Sequence, residues 1–170
     1  FETRLAQLAV ASLLLACLYG CDREATVIQP SGDATATTVA ANAAYGGSLD
    51  LASPVDAQNA ARGFIARPQG KLLAADGTLV WDYDRFAFVQ GDAPPSVNPS
   101  LWRHAVLNNH SGLFQVSDGI YQLRGFDLAN MTLIEGRTGW IVVDPLTVRE
   151  TAAAALAFAR EQLGDKPVTA

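Results

Sequence analysis

Side chains able to carry chemistry are sparse in this chain. His104 and His110 are its only histidines, and a hydrolytic metal site needs several His, Asp, Glu or Cys ligands converging on one ion. The two lie astride the expected end of a helix, share no helical face and have no partner in a short ligand motif, which favours a surface or core role over ligation. Ser111 follows His110 directly, yet a nucleophile and its base are normally assembled from distant positions. No Gly-x-Ser-x-Gly elbow, phosphate-binding glycine loop or dinucleotide fingerprint occurs. Asp144 is the polar residue that stands out, because it ends the apolar run Trp140-Ile141-Val142-Val143. A carboxylate there either orients groups of a neighbouring site or serves the turn and helix entry beside Pro145. The only cysteines, Cys17 and Cys21, sit in or at the edge of the leading apolar segment, so no disulfide framework is expected.

Composition narrows the partners. With 12 basic and 17 acidic residues the formal charge is −5, and no run of Lys or Arg could neutralise a series of phosphates, so nucleic acid is not an expected partner. The 170 residues, 49% of them hydrophobic, suffice for one domain with a core. Much of that fraction, however, lies in the leading segment and in alanine-rich stretches, and alanine buries little area.

From Leu5 to Tyr19 the chain carries no charge, with Arg4 just before it. This is a signal-peptide pattern, assigned to residues 1–20. The run stops at Gly20, ahead of Asp22, Arg23 and Glu24, short of the roughly 20 apolar residues of a spanning helix. Leu18-Tyr19-Gly20-Cys21 resembles the lipobox of bacterial lipoproteins, although Tyr19 departs from it, and ordinary signal cleavage nearby is the alternative. If the lipobox is used, Cys21 is the lipid attachment site and its acyl chains hold an exported, periplasmic lipoprotein to a membrane surface. Residues 21–53, rich in Ala, Thr, Ser, Gly and Asn with no sustained period, read as a flexible tether.

Order is expected from Ser53. Pro54 and Asp56 open a short helix running to about Ile65, and Asp76-Gly77 turns a hairpin between two apolar runs. Asn98 caps a second helix with Pro99 at its first position. Residues 54–112 thus form an N-terminal extension of helices and hairpin. From Leu113 the strands LFQV, IYQL, MTLIE and WIVV form an antiparallel meander, and the unbroken WIVV suits a strand covered on both faces. A long helix follows, entered through a Thr147–Glu150 capping box, with Val148, Ala152, Ala155, Leu156, Ala159 and Leu163 on one stripe. Pro167-Val168-Thr169-Ala170 then read as the first residues of a strand returning parallel to WIVV, an unfinished βαβ unit from which the chain is expected to be the front part of a larger protein.

From about Arg62 onward the segments ARGFIA, ADGTLVWD, APPSVNPSLWR, LNNHSGLF, GIYQLRGFDLANMTLIEG, GWIVVDPLT and ETAAAALAFAREQLGDKPV resemble the exported alkyl sulfatases of the metallo-β-lactamase fold. The resemblance implies an α/β (αβ/βα) fold, incomplete here, whose catalytic domain starts at residues 113–170. It implies a hydrolase of detergent-type alkyl sulfate esters, releasing alcohol and sulfate with two zinc ions. The zinc ligands would come from a His-x-His-x-Asp-His loop beyond Ala170, so no catalytic or metal-ligating residue is expected within this chain. It also implies a homodimer and, for Asp144, support of the metal loop from behind. Asn130 and Met131 fall in the family's NMT segment near the site. Two other readings stay open: another exported hydrolase of the same fold acting on a different ester, and a non-catalytic, lipid-anchored binding protein.

Overall fold

The computed structural model describes residues 33–170, and the signal and lipobox assignments, Cys17 and Cys21 included, lie outside the described residues. Within the unit Ala34–Ala170 the described elements run α1 (Ala36–Gly46), α2 (Val55–Ala61), β1 (Phe64–Ala66), β2 (Lys71–Leu73), β3 (Leu79–Asp82), α3 (Pro99–Asn108), β4 (Gly112–Ser117), β5 (Ile120–Arg124), β6 (Met131–Glu135), β7 (Trp140–Val143) and α4 (Arg149–Leu163).

The meander forms as its alternation dictates. Strands β1-β4-β5-β6-β7 make one antiparallel sheet and β2-β3 a separate hairpin. The pairs Leu113↔Leu123, Leu123↔Met131 and Leu133↔Val142 put one set of large side chains on a single face. Leu113, Leu123, Met131, Leu133 and Trp140 are buried there together with Ala155 and Ala159 of α4. Those two alanines let the helix lie close to the sheet. Phe126 stitches the layers, its ring 5.4 Å from that of Tyr83 in the segment after the hairpin and 5.7 Å from Phe158 of α4. Past α4, Val168 pairs in parallel with Trp140, through Trp140 N to Pro167 O at 2.7 Å and Thr169 N to Trp140 O at 2.8 Å. The βα crossover expected from the sequence is therefore present.

Four expectations are corrected. Residues 36–46, expected within the tether, form α1. Thr35 caps it by accepting from Thr38 N at 3.2 Å, and Asn42 Nδ2 ties it to Pro95 O at 2.8 Å. Alanine drives this helix by intrinsic propensity, and a helix that buries no residue leaves no apolar period to detect. The helix expected to reach Ile65 stops at Ala61, because Phe64–Ala66 pair with β4 instead, a contact that no local pattern announces. The Asp76-Gly77 hairpin forms, but its loop is longer than a two-residue turn: Ala74 N donates to Thr78 O and only Gly77 takes a positive φ. Finally, β7 is covered on one face only. Trp140 is buried, whereas Ile141 and Val143 are 36% and 50% exposed, because α4 covers one side of the sheet.

Candidate functional site

Antiparallel register brings three loops to one edge of the sheet. Arg124 ends β5 opposite Gly112, Met131 begins β6 opposite Leu123, and Val143 ends β7 opposite Thr132. The segment before β4 (Asn109–Ser111), the β5–β6 loop (125–130) and the β7–α4 loop (144–148) therefore emerge together. Gly125 makes the close approach possible. Its φ is +75°, and a Cβ there would lie 2.5 Å from Ser111 Cβ.

Asp127 is the organising residue of this edge. It is 8% exposed, and its Oδ1 accepts from Ala129 N at 2.8 Å. Its Oδ2 accepts from Thr147 N at 2.8 Å, Thr147 Oγ1 at 2.8 Å and Thr151 Oγ1 at 2.7 Å. Burial alone pushes the carboxyl pKa up, but the bonds from the Thr147 and Ala129 amides and the two hydroxyls outweigh it and hold the group below the ordinary carboxylate range. With Oδ2 accepting three donors, Asp127 is an ionised strut rather than a base. It also replaces the expected Thr147–Glu150 capping box: α4 has Val148 at its N-cap with no side-chain cap bond, and the Thr147 hydroxyl points to Asp127 instead.

Two clefts flank the 125–130 loop. One, of about 500 Å³, is lined by Arg124, His110, Asn108, Asn130, Leu107 and Asp56 among others. The second, of about 390 Å³, is lined by Trp81, Tyr83, Phe86, Val89 and Ala105. Gly125, Asp127, Leu128 and Asn108 belong to both walls, and Leu128, 89% exposed, forms the lip between them. Trp81 Nε1 donates to Gly125 O at 2.9 Å, fastening the hairpin to the loop. Burial pushes the Tyr83 phenol up.

Arg124 is the cation of the first cleft. Its guanidinium lies 4.2 Å from the Phe114 ring centroid, and Nε donates to Gln122 Oε1 at 2.7 Å. It has no carboxylate partner among the described residues, and burial pulls its pKa down. The nearby Asp56 is engaged by Arg103 at 2.9 Å.

The residues singled out in the sequence fare unequally. Asp144 does stand at the end of β7, but it is exposed and lines neither cleft. Its φ is +55° and that of Leu146 is +73°, and among the described residues its side chain accepts one long bond, from Leu146 N at 3.4 Å. His110 lines the first cleft and Ser111 the second, and no hydrogen bond joins them. His104 is exposed on α3. Asn130 lines the first cleft, while Met131 is buried in the core. Among the described residues no group of three or more His, Cys, Asp or Glu could hold a metal ion. Sequence reasoning missed Asp127 and Arg124. An aspartate within Gly-Phe-Asp-Leu-Ala, between two strands, followed at long range by Thr147 and Thr151 one helical turn apart, is the signal that could have found the first.

No protein-family model matches the chain. It is 43% identical over 155 residues to an (R)-specific secondary-alkylsulfatase of Pseudomonas sp., covering 86% of this chain and 23% of that protein. It is 40% identical over 162 residues to a linear primary-alkylsulfatase of Pseudomonas sp., covering 94% of this chain and 24% of the relative. An alkyl/aryl-sulfatase of Saccharomyces cerevisiae is 37% identical over 134 residues, covering 78% of this chain and 21% of the relative. Among solved structures, the stereoselective inverting sec-alkylsulfatase Pisa1 from Pseudomonas sp. superposes with a TM-score of 0.74 at 45% identity, over 79% of this chain and 21% of that one. The chain thus spans about a quarter or less of the length of the relatives it matches. Over that shared stretch, in sequence and in fold alike, the chain is a homologue of the alkylsulfatases.

Proposed function

We propose that this chain is part of a hydrolase that cleaves alkyl sulfate esters, detergent-type esters included, to alcohol and sulfate. The observation that carries the reading is the joint match at 43% and 45% identity to alkylsulfatases in sequence and in structure. The βα unit closed by the parallel Trp140↔Val168 bridge supports the metallo-β-lactamase fold as part of the same proposal.

Two zinc ions, with ligands outside this chain, belong to the proposal as the agents that acidify bound water. The part assigned to this chain is scaffolding: Asp127 fixes the start of α4 and the β7–α4 loop, and Asp144 is positioned beside the metal loop to orient it. The full-length protein is expected to release sulfate from decyl sulfate, to lose that activity in a strong chelator and to regain it with zinc. Absence of sulfate release by the zinc-loaded protein, measured by ion chromatography, overturns the reading.

Export to the periplasm, anchoring through lipidated Cys21 and homodimer formation are further parts of the proposal. The first two are supported by the Leu5–Tyr19 run and the residues before Cys21. Mass spectrometry of the mature N-terminus tests them, an unmodified cysteine or a cut elsewhere being the contrary result. Light scattering of the full-length protein tests the third, a monomer mass being the contrary result.

A further inference from the structure

We propose that the two clefts flanking Leu128 form one amphiphile-binding site, in which Arg124 takes an anionic head group and the aromatic-lined cleft takes a hydrocarbon tail. The inference rests on the hydrolase reading for the identity of the head group, a sulfate monoester, and on geometry for everything else.

The argument starts from what each cleft leaves unsatisfied. On the wall of the first cleft both carboxylates are engaged, Asp127 by its own loop and helix and Asp56 by Arg103. Among the described residues Arg124 meets no carboxylate: its Nε is used by Gln122 and its face by Phe114, and its terminal guanidinium nitrogens have no partner there. A half-buried cation loses solvation that no counter-charge restores, which is what the lowered pKa expresses. An oxyanion supplies that counter-charge through charge-assisted bonds, and Asn130 and His110 bring further donors to the same wall. The second cleft offers the opposite chemistry, with Trp81, Tyr83, Phe86 and Val89 around a space of about 390 Å³. Leu128 lies on both walls and is almost wholly exposed, so a hydrocarbon chain passing from one cleft to the other would bury it. A polar, cationic cleft joined over an apolar lip to an aromatic one fits a molecule with one charged end and one hydrocarbon end.

The test is calorimetric binding to the full-length protein of hexane-, octane- and decanesulfonate, which carry the head and tail but lack the ester oxygen that hydrolysis cleaves. Affinity should rise about fourfold per buried methylene, equivalent to about 0.8 kcal/mol. Arg124→Gln should weaken all three sulfonates by a common factor of about ten or more, the loss of a charge-assisted bond, with Arg124→Lys recovering part. Phe86→Ser and Leu128→Ser should instead flatten the gain per methylene to about twofold or less. Arg124→Gln within twofold of the parent, or an unaltered methylene increment in both tail variants, overturns the proposal. The two tail positions are exposed or half-exposed, so their increment decides the matter even if Arg124→Gln fails to fold. A protein that binds decanesulfonate through Arg124 yet hydrolyses no alkyl sulfate keeps this site and loses the hydrolase reading. One that hydrolyses decyl sulfate while Arg124→Gln and both tail variants bind the sulfonates as the parent does keeps the reading and loses the site.

Discussion

Asp127 and Asp144 sit in neighbouring loops at one edge of the same sheet, and they are opposite kinds of carboxylate. Asp127 is buried, accepts four hydrogen bonds and is held ionised. Asp144 is exposed, in left-handed backbone, with one long bond at 3.4 Å. The difference teaches where this edge gets its order. The strand-end aspartate is carried by a loop that it does not itself hold. That loop is held from the far side, by Asp127 gripping Thr147 at its C-terminal end.

The largest effect should follow from removing the grip. Asp127→Ala leaves the Thr147 amide and the Thr151 hydroxyl facing a void, and charge-assisted bonds contribute about 1.5–3 kcal/mol each without being additive. A loss of about 3–5 kcal/mol in urea unfolding is expected, against under about 1 kcal/mol for Asp144→Ala. Equal losses at the two positions would erase the distinction between them.

Acid sharpens it further. Because the folded pKa of Asp127 is depressed below its ordinary 3.8, its stabilisation is complete above that value and is lost as pH falls through the folded one. The parent should therefore lose this stabilisation as pH falls below about 4. Asp127→Asn, weaker at neutral pH, should show a shallower decline over the same range. Parallel acid curves for the two proteins would place the ionised strut elsewhere.

Thr151 supplies an intermediate effect. Its hydroxyl has one proton and two acceptors in reach, Asp127 Oδ2 at 2.7 Å and Val148 O at 2.9 Å, and the ionised, closer oxygen takes it. Thr151→Val keeps the shape and the burial but withdraws that donor, at a cost of about 1–2 kcal/mol. The Asp127→Ala/Thr151→Val double variant should be less destabilised than the sum, since both remove the same bond. Additivity would mean that Thr151 acts through packing alone.

What could be read in the sequence follows the range of the interactions. Asn98 with Pro99 announces α3 because a cap acts within three residues, and the structure has Asn98 Oδ1 accepting from Ser100 N and Leu101 N. The meander is legible because its period is local and the turns between its strands carry glycine at Gly119 and at Gly136 and Gly139. Asp127 has no local signal, only a long-range one, since its partners lie 20 and 24 residues away. The same Thr147 that looked like half of a capping box was already committed to that distant carboxylate. Arg124 escaped notice for a related reason: a lone arginine in a strand gains meaning only when Phe114 and Gln122 fix it beside a cleft without a free carboxylate. Asp144 was found by its place at a strand end, a rule about topology, but topology did not reveal how little the protein binds its side chain.

The smallest expected effect on stability is therefore at Asp144, and it is also the most discriminating. Glycine accepts φ of +55° without the steric penalty that a Cβ brings, but it adds freedom to the unfolded chain, worth about 0.4–1 kcal/mol in the opposite direction. The two effects nearly cancel, and Asp144→Gly should unfold within about 0.5 kcal/mol of the parent. On the proposed reading the carboxylate exists to orient a neighbouring metal loop, so full-length Asp144→Gly should lose about 10–100-fold in sulfate release, with added zinc restoring part of it. Full activity in a protein of unchanged stability would assign Asp144 to the turn before α4 and nothing more. A large fall in stability would mean that the strained loop, rather than Asp127, carries the edge.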